Sequence, residues 1–222
     1  MTGLFIVGTP IGNRGDISPR AVETLQAVDQ VLAEDTRRTR ALLSALDIHK
    51  PVRSCHGFNE ATIMDGVLRR LHDGAAMALV SDSGMPAVSD PGARLVTACR
   101  NAGIPIRVVP GPSAVTTAVA ASGFGGHGFV FAGFAPRKTG ARRRCFEAWT
   151  ESNHPVVFFE APHRIQQFLT DADTVWGERQ LYMGRELTKK FEEHSWGTAA
   201  DLLRHFSDHP PRGEFVIVAA AK

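Results

Sequence analysis

The chain has 222 residues, of which 43% are hydrophobic and 22% charged, enough apolar material for one large domain or two smaller ones and unlike a disordered composition. Its formal net charge of +2 excludes a uniformly basic or acidic protein, so partners have to be read from where the charges sit. No run of about 18 apolar residues occurs, FVIVAAA and AVTTAVAASGF being too short or too polar, and no membrane-spanning helix is expected.

The N-terminal MTGLFIVGTP carries no basic n-region and no cleavage site, which leads us to expect a cytoplasmic protein. Cys55, Cys99 and Cys145 are odd in number, far apart and in no CxxC pair, arguing against a disulfide framework or a zinc knuckle.

In chain order, LFIVGTP (4–10) reads as a strand. SPRAVETLQAV reads as a helix, with Ser18 as cap and Pro19 at the first helical position. QVLAED is a strand ending in acids, TRRTRALLSAL a helix, PVRSC a short strand, and NEATIMDGVLRRLHDG a helix. MALVSD (77–82), PGARLVTACRNAG, IRVVPGPSA and AVTTAVAASG continue as strand, helix, strand and helix. Such alternation predicts a parallel sheet with crossover helices. Three of its strands run into Gly/Pro loops on one edge, the carboxyl edge, where open α/β sheets hold ligands. The Gly-rich GFGGHG (123–128) marks a boundary between an N-terminal domain over 1–123 and a C-terminal domain over 128–222. Beyond it FVFAGFAP, PVVFFEAP, QLYMGREL and GEFVIVAAA read as strands, with helices near 140–151, 162–170 and 198–208.

Several motifs compete. VGTPIGN (7–13) has GxxxG spacing rather than GxGxxG, and Pro10 would interrupt a helix at that turn, so a dinucleotide site with Glu34 and Asp35 on the ribose is disfavoured. No phosphate loop GxxxxGK[ST] exists. His205 and His209 are four apart, but no acidic base accompanies them, and a frayed helix end is the better reading. SDSGMPAVSDPG (81–92) holds acids eight apart with proline between, without calcium-loop spacing. No metal is expected. Its second half suits a tight connection capped by Ser89 and Asp90 ahead of Pro91. Its first half places Asp82 after a strand, and Gly84 admits a ligand close to the backbone. A cationic or hydroxyl-rich small molecule suits those groups.

GTPIGN, AEDTR (33–37), SDSGMPAVSDPG, PGPSA (110–114), GFAPRK, FEAPHR (159–164) and RELTKKFEE (185–193) stand in one order along the chain. In that order the chain resembles the ribosomal RNA small-subunit methyltransferase I group of the tetrapyrrole methylase superfamily. The resemblance implies two α/β domains, with a parallel sheet in the first and a mixed sheet in the second. It implies S-adenosylmethionine (SAM) in a cleft between them, a homodimer, and methylation of a cytidine ribose 2′-hydroxyl in small-subunit rRNA, free or assembled. It implies cofactor contacts from Pro10, Asp82, Ser83, Gly84, Pro86, Val88, Ser113, Ala114, Ala161 and Pro162. The group usually reads SDAG where this chain has Ser83, and it commonly continues into a helical C-terminal extension.

A ribose hydroxyl is a weak acid, so Glu186 as a base and Lys189 as a base or alkoxide-stabilising cation are the candidate catalytic groups. RKTGARRR (137–144) and TRRTR (36–40) hold five and three cations. Either run alone could be a solvated face, but the two together favour phosphate contact by Arg37, Arg38, Arg137, Lys138, Arg142, Arg143 and Arg144, joined by Arg164. With only Phe134 and Phe146 nearby, shape and backbone recognition are expected over base stacking. The competing readings are a cobalamin-precursor methylase acting on an anionic macrocycle and a non-catalytic RNA-binding module.

Overall fold

The structure is a computed structural model describing residues 1–206 and 210–222. His209 and the end of the helix expected to reach 208 lie outside the described residues. The chain divides into two units, Met1–Ser113 and Ala114–Lys222.

The first unit is a five-stranded sheet of β1 (Gly3–Val7), β2 (Gln30–Ala33), β3 (Val52–Ser54), β4 (Ala76–Val80) and β5 (Ile106–Val109). The strands lie in the order β3-β2-β4-β1-β5, and every pair is parallel. Helices α1 (Pro19–Ala27), α2 (Thr36–Ala45), α3 (Glu60–His72) and α4 (Ala93–Asn101) make the crossovers. The inner strands β1, β2 and β4 read as largely apolar runs because both faces are covered. Phe5, Val7, Val31, Ala33, Ala78 and Val80 pack with Ala21, Leu25 and Leu43 of α1 and α2. Their neighbours Leu4, Leu32, Met77 and Leu79 pack with Ile63, Val67 and Leu71 of α3 and Leu95 of α4. Each such fully buried side chain contributes about 1.5–3 kcal/mol of transfer free energy. Local chemistry sets the helix starts. Ser18 Oγ accepts from Ala21 N at 3.1 Å ahead of Pro19, Asp35 accepts from Arg37 N at 2.8 Å, and the buried Glu60 carboxylate accepts from Leu95 N at 2.8 Å in the first turn of α4.

The second unit opens with α5 (Ala114–Ser122). It continues through β6 (Val130–Phe134), α6 (Thr139–Ala148), β7 (Val156–Glu160), α7 (Ile165–Trp176), β8 (Leu181–Arg185), β9 (Glu193–Gly197), α8 (Ala199–His205) and β10 (Phe215–Ala219). The sheet order is β6-β7-β10-β8-β9. β6 and β7 are parallel, the other pairs antiparallel, and a bulge interrupts β6 between Phe131 and Gly133. The expected parallel and mixed sheets are both present. Phe146, Phe158, Phe168 and Trp176 form the aromatic centre of the core, and α5 packs against β8 and β10 outside that cluster.

Three features differ from the sequence expectation. The small-residue helix α5 joins the second unit, so the Gly-rich stretch at 123–128 lies inside that unit. Strand β9 was not anticipated, since Glu193-His194-Ser195-Trp196-Gly197 offers little apolar alternation. Helix α7 runs on to Trp176, because Ala172 and Trp176 extend its buried stripe past residue 170.

Candidate functional site at the carboxyl edge

The loops after β1, β4 and β5 meet with almost no space between them. A Cβ on Gly8 would lie 2.7 Å from the Gly111 backbone and from the Met85 sulfur, and one on Gly111 would lie 2.8 Å from Gly8 Cα. Only glycine lets these two chains touch. Thr9 and Gly84 exchange backbone hydrogen bonds of 2.9 and 3.2 Å, and the Thr9 hydroxyl donates toward the carbonyls of Ser81 and Gly84. Ala87 and Ser89 sit at φ of 65° and 60° in the loop that follows, a left-handed conformation that costs free energy and clusters at ligand sites. Within this unit the edge therefore gathers Pro10, Asp82, Ser83, Gly84, Pro86 and Ser113, with Val88 48% exposed at its rim.

The same edge concentrates negative charge. Asp82 accepts from Asp35 N at 2.9 Å, with Arg38 3.7 Å from its second oxygen. The Glu34 carboxyl is raised, first by burial and then by Asp82. Asp90 is pushed up to about 6 by burial and by Glu34, against the lowering effect of a hydrogen bond from Ser81. Carboxylates held in this way are relieved by an incoming positive charge. Sequence reasoning gave Asp90 only a capping role and Glu34 only a ribose role. For Glu34 the signal was its place beside Asp82 at the ends of two strands that the fold makes neighbours, which needs the strand order to be legible; Asp90, well past the end of β4, gave no such signal. Among the described residues, no set of three His, Cys, Asp or Glu side chains is arranged to hold a metal ion.

In the second unit, Lys189 Nζ donates to Glu186 at 2.8 Å and to Glu214 at 2.8 Å, while Glu214 N donates to Glu186 at 3.0 Å. Burial alone would raise the Glu186 carboxyl, but the bonds from Lys189 and Glu214 outweigh it and the net shift is downward. Burial would likewise lower Lys189, and its two carboxylate partners outweigh that, raising it. These partners favour the ammonium form of Lys189 over the neutral amine. Arg185 pairs with Glu193 at 2.9 Å, leaving Glu186 to Lys189. Ala161 and Pro162 follow β7 at the buried Glu160, which accepts from Ala161 N at 2.8 Å. Burial raises the Glu160 carboxyl.

The arginines separate by exposure. Arg37 and Arg38 are 88% and 64% exposed, and Arg137, Lys138 and Arg144 are exposed. The expectation that Arg142 contacts RNA is corrected. Its guanidinium is 1% exposed, bonds Asp171 through Nε at 2.8 Å, and donates to the carbonyls of Pro136 and Arg137 at 3.1 Å each. On α6 the buried positions are Arg142 and Phe146, four apart on one stripe. Arg143, 40% exposed, shares Asp171 at 2.7 Å. Arg164 is also committed internally, 3.1 Å from Glu160 and donating to the Ala135 carbonyl.

Residues 3–203 match the family of tetrapyrrole (corrin/porphyrin) methylases. The protein named ribosomal RNA small subunit methyltransferase I of Thermotoga maritima is 45% identical over the whole of both chains. The chain belongs to the ribosomal RNA small-subunit methyltransferase I group of the tetrapyrrole methylase family. Proteins of the same name in Xylella fastidiosa and Synechocystis are 46% and 43% identical, over 97% and 98% of this chain and 80% and 78% of their own. Among solved structures, the methyltransferase CobJ superposes with a TM-score of 0.72 at 17% identity, covering 100% of this chain and 95% of that one. Uroporphyrin-III-C-methyltransferase from Thermus thermophilus gives 0.67 at 20% identity, over 97% and 93%. Those two likenesses establish the fold.

A tetrapyrrole methylase has to accommodate SAM, a cation bearing hydroxyls and an amino group. The residues of the first-unit edge fit it. The Gly8–Gly111 contact holds the loops together, and Asp82, Glu34 and Asp90 supply acceptors and negative potential.

Proposed function

We propose that this methylase uses SAM to methylate the 2′-hydroxyl of a cytidine ribose in small-subunit ribosomal RNA, as a cytoplasmic homodimer. The observation that carries the cofactor half is the convergence of the loops after β1, β4 and β5 beside the acids Asp82, Glu34 and Asp90. The RNA half is supported by full-length similarity to proteins named for that substrate. Bound SAM supplies a methyl group already activated by its sulfonium. The protein's part is then mainly positioning.

Asp82 and Ser83 accept hydrogen bonds from the cofactor, with Pro10, Gly84, Pro86, Val88, Ser113, Ala114, Ala161 and Pro162 completing its contacts. Lys189, held as an ammonium by two carboxylates, stabilises the negative charge that develops on the ribose oxygen as its bond to the methyl group forms and the hydroxyl proton passes to solvent water. Glu186 orients Lys189, and its lowered pKa makes it a weak proton acceptor. Arg37, Arg38, Arg137, Lys138, Arg143 and Arg144 meet RNA phosphates.

The test is incubation of the protein with methyl-labelled SAM and either small ribosomal subunits, free small-subunit rRNA or a uroporphyrinogen, followed by mass mapping of the product. One methyl on a cytidine ribose is expected. Label in the macrocycle and none in RNA would overturn the reading. In the same assay under single-turnover conditions, Lys189→Met is expected to slow the chemical step more than Glu186→Gln.

A further inference from the structure

The β6–α6 connection is held by arginines that face inward. Three consecutive carbonyls, those of Ala135, Pro136 and Arg137, each accept from a buried or half-buried guanidinium, the first from Arg164 and the next two from Arg142. Those guanidiniums are anchored in turn by Glu160 and Asp171, which are 2% exposed. The segment therefore has little freedom to lose on binding. Phe134, at its start, is 55% exposed although it is a large apolar ring. The ring is backed edge-on by Phe159 at 5.6 Å, and Phe159 is backed by Phe131 at 4.9 Å. Arg137 and Lys138, at its end, are exposed, and residues 137–144 contain no acid to neutralise them. An outward aromatic face on a rigid backing, followed by two exposed cations, has the chemistry of a single-stranded nucleic acid contact, with a base on the ring and phosphates on the cations.

We propose that Phe134, Arg137 and Lys138 form a preorganised platform for one unpaired nucleotide of the RNA substrate. Arg142 and Arg164 are positioning residues that hold the platform's backbone. The proposal rests on the RNA-methylation reading and adds one stacked base to the expected shape and backbone recognition. It also explains why the run RKTGARRR mixes exposed and buried cations: Arg142 holds the carbonyls of Pro136 and Arg137, the backbone between the ring and the second cation.

The test is fluorescence-anisotropy titration of the full chain with an unstructured RNA oligonucleotide across a salt series. Phe134→Ala is expected to weaken binding about tenfold with an unchanged salt slope. The double variant Arg137→Ala/Lys138→Ala is expected to reduce the logarithmic salt slope by about 1.4–1.8, two phosphate contacts. Arg142→Lys keeps the charge but loses the fork, and is expected to lower the slope toward that of the double variant while SAM affinity, measured by calorimetry, stays at the wild-type value. Wild-type RNA affinity and slope in both surface variants would overturn the platform. So would a Phe134→Ala variant that changes only the sedimentation mass, which would make the ring a self-association contact. Failure of the wild type to methylate rRNA would instead remove the proposed function, while the oligonucleotide titrations would still report whether these residues bind RNA.

Discussion

Asp90 and Asp171 are both drawn out of solvent, and their surroundings are opposite. Asp90 has Glu34 and Asp82 for company and is pushed up to about 6. Asp171 is 2% exposed and is gripped by Arg142 and Arg143. The clustered carboxylates at the edge of the first sheet, approached by Arg38 at 3.7 Å from Asp82, hold electrostatic free energy that a cationic ligand would release. The paired charges beneath the second sheet are already neutralised by the protein itself, and what they do is fix backbone. Acids that the fold crowds together thus mark where a ligand is expected, while acids that it matches closely with guanidiniums mark architecture.

The largest effect is expected from breaking the matched set. Asp171→Asn leaves the Arg142 guanidinium buried with its charge uncompensated, and should lower the unfolding free energy of the second unit by about 3–5 kcal/mol in urea titrations. A change below about 1 kcal/mol would mean that water reaches this pair and the contrast between the units is false.

The crowded set should respond in the opposite direction and with pH. The folded-state pKa of Asp90 lies above its unfolded value, so its protonated form favours the fold. That stability is full below about pH 4 and is lost as pH rises through about 6. Asp90→Asn removes the loss. It should raise the thermal midpoint by about 2–4 °C at pH 7–8, corresponding to about 1 kcal/mol, and by almost nothing near pH 3.5. A gain independent of pH would locate its cause outside the carboxylate cluster.

The smallest effect on stability belongs to the exposed run. Arg37→Ala and Arg38→Ala should each change unfolding free energy by less than about 0.5 kcal/mol. Their RNA salt slope should still fall by about 0.7–0.9 per lost contact. A destabilised Arg38→Ala would show that its 3.7 Å approach to Asp82 supports the cofactor loop.

Much of the first unit was legible because its inner strands are short, doubly buried apolar runs punctuated by Gly and Pro, and because Ser18 and Pro19 announce a helix. The SDSGMP loop could be read as a ligand site from residue types alone. The contact between Gly8 and Gly111 could not, since residues 103 positions apart meet only once β1 and β5 pair. Arg142 was misread for a related reason. Its charge suggested solvent, but its spacing from Phe146 put it on the buried stripe, and nothing local pointed to Asp171 on another helix. Strand β9 escaped because an outer strand with one mostly polar face lacks the alternation that reveals inner ones.

That polar outer strand has a consequence for how the chain survives folding. Each sheet ends in strands with unpaired backbone groups, the usual route to aggregation between partly folded copies. In the first sheet, both outer strands carry an arginine, Arg53 in β3 and Arg107 in β5. In the second, β9 carries Glu193 and His194, and β6 is broken by its bulge after Phe131. All four exposed borders thus bear a charge or an irregularity that discourages a neighbouring chain from adding a strand, which fits a protein that must fold at cellular concentration without its sheets fusing.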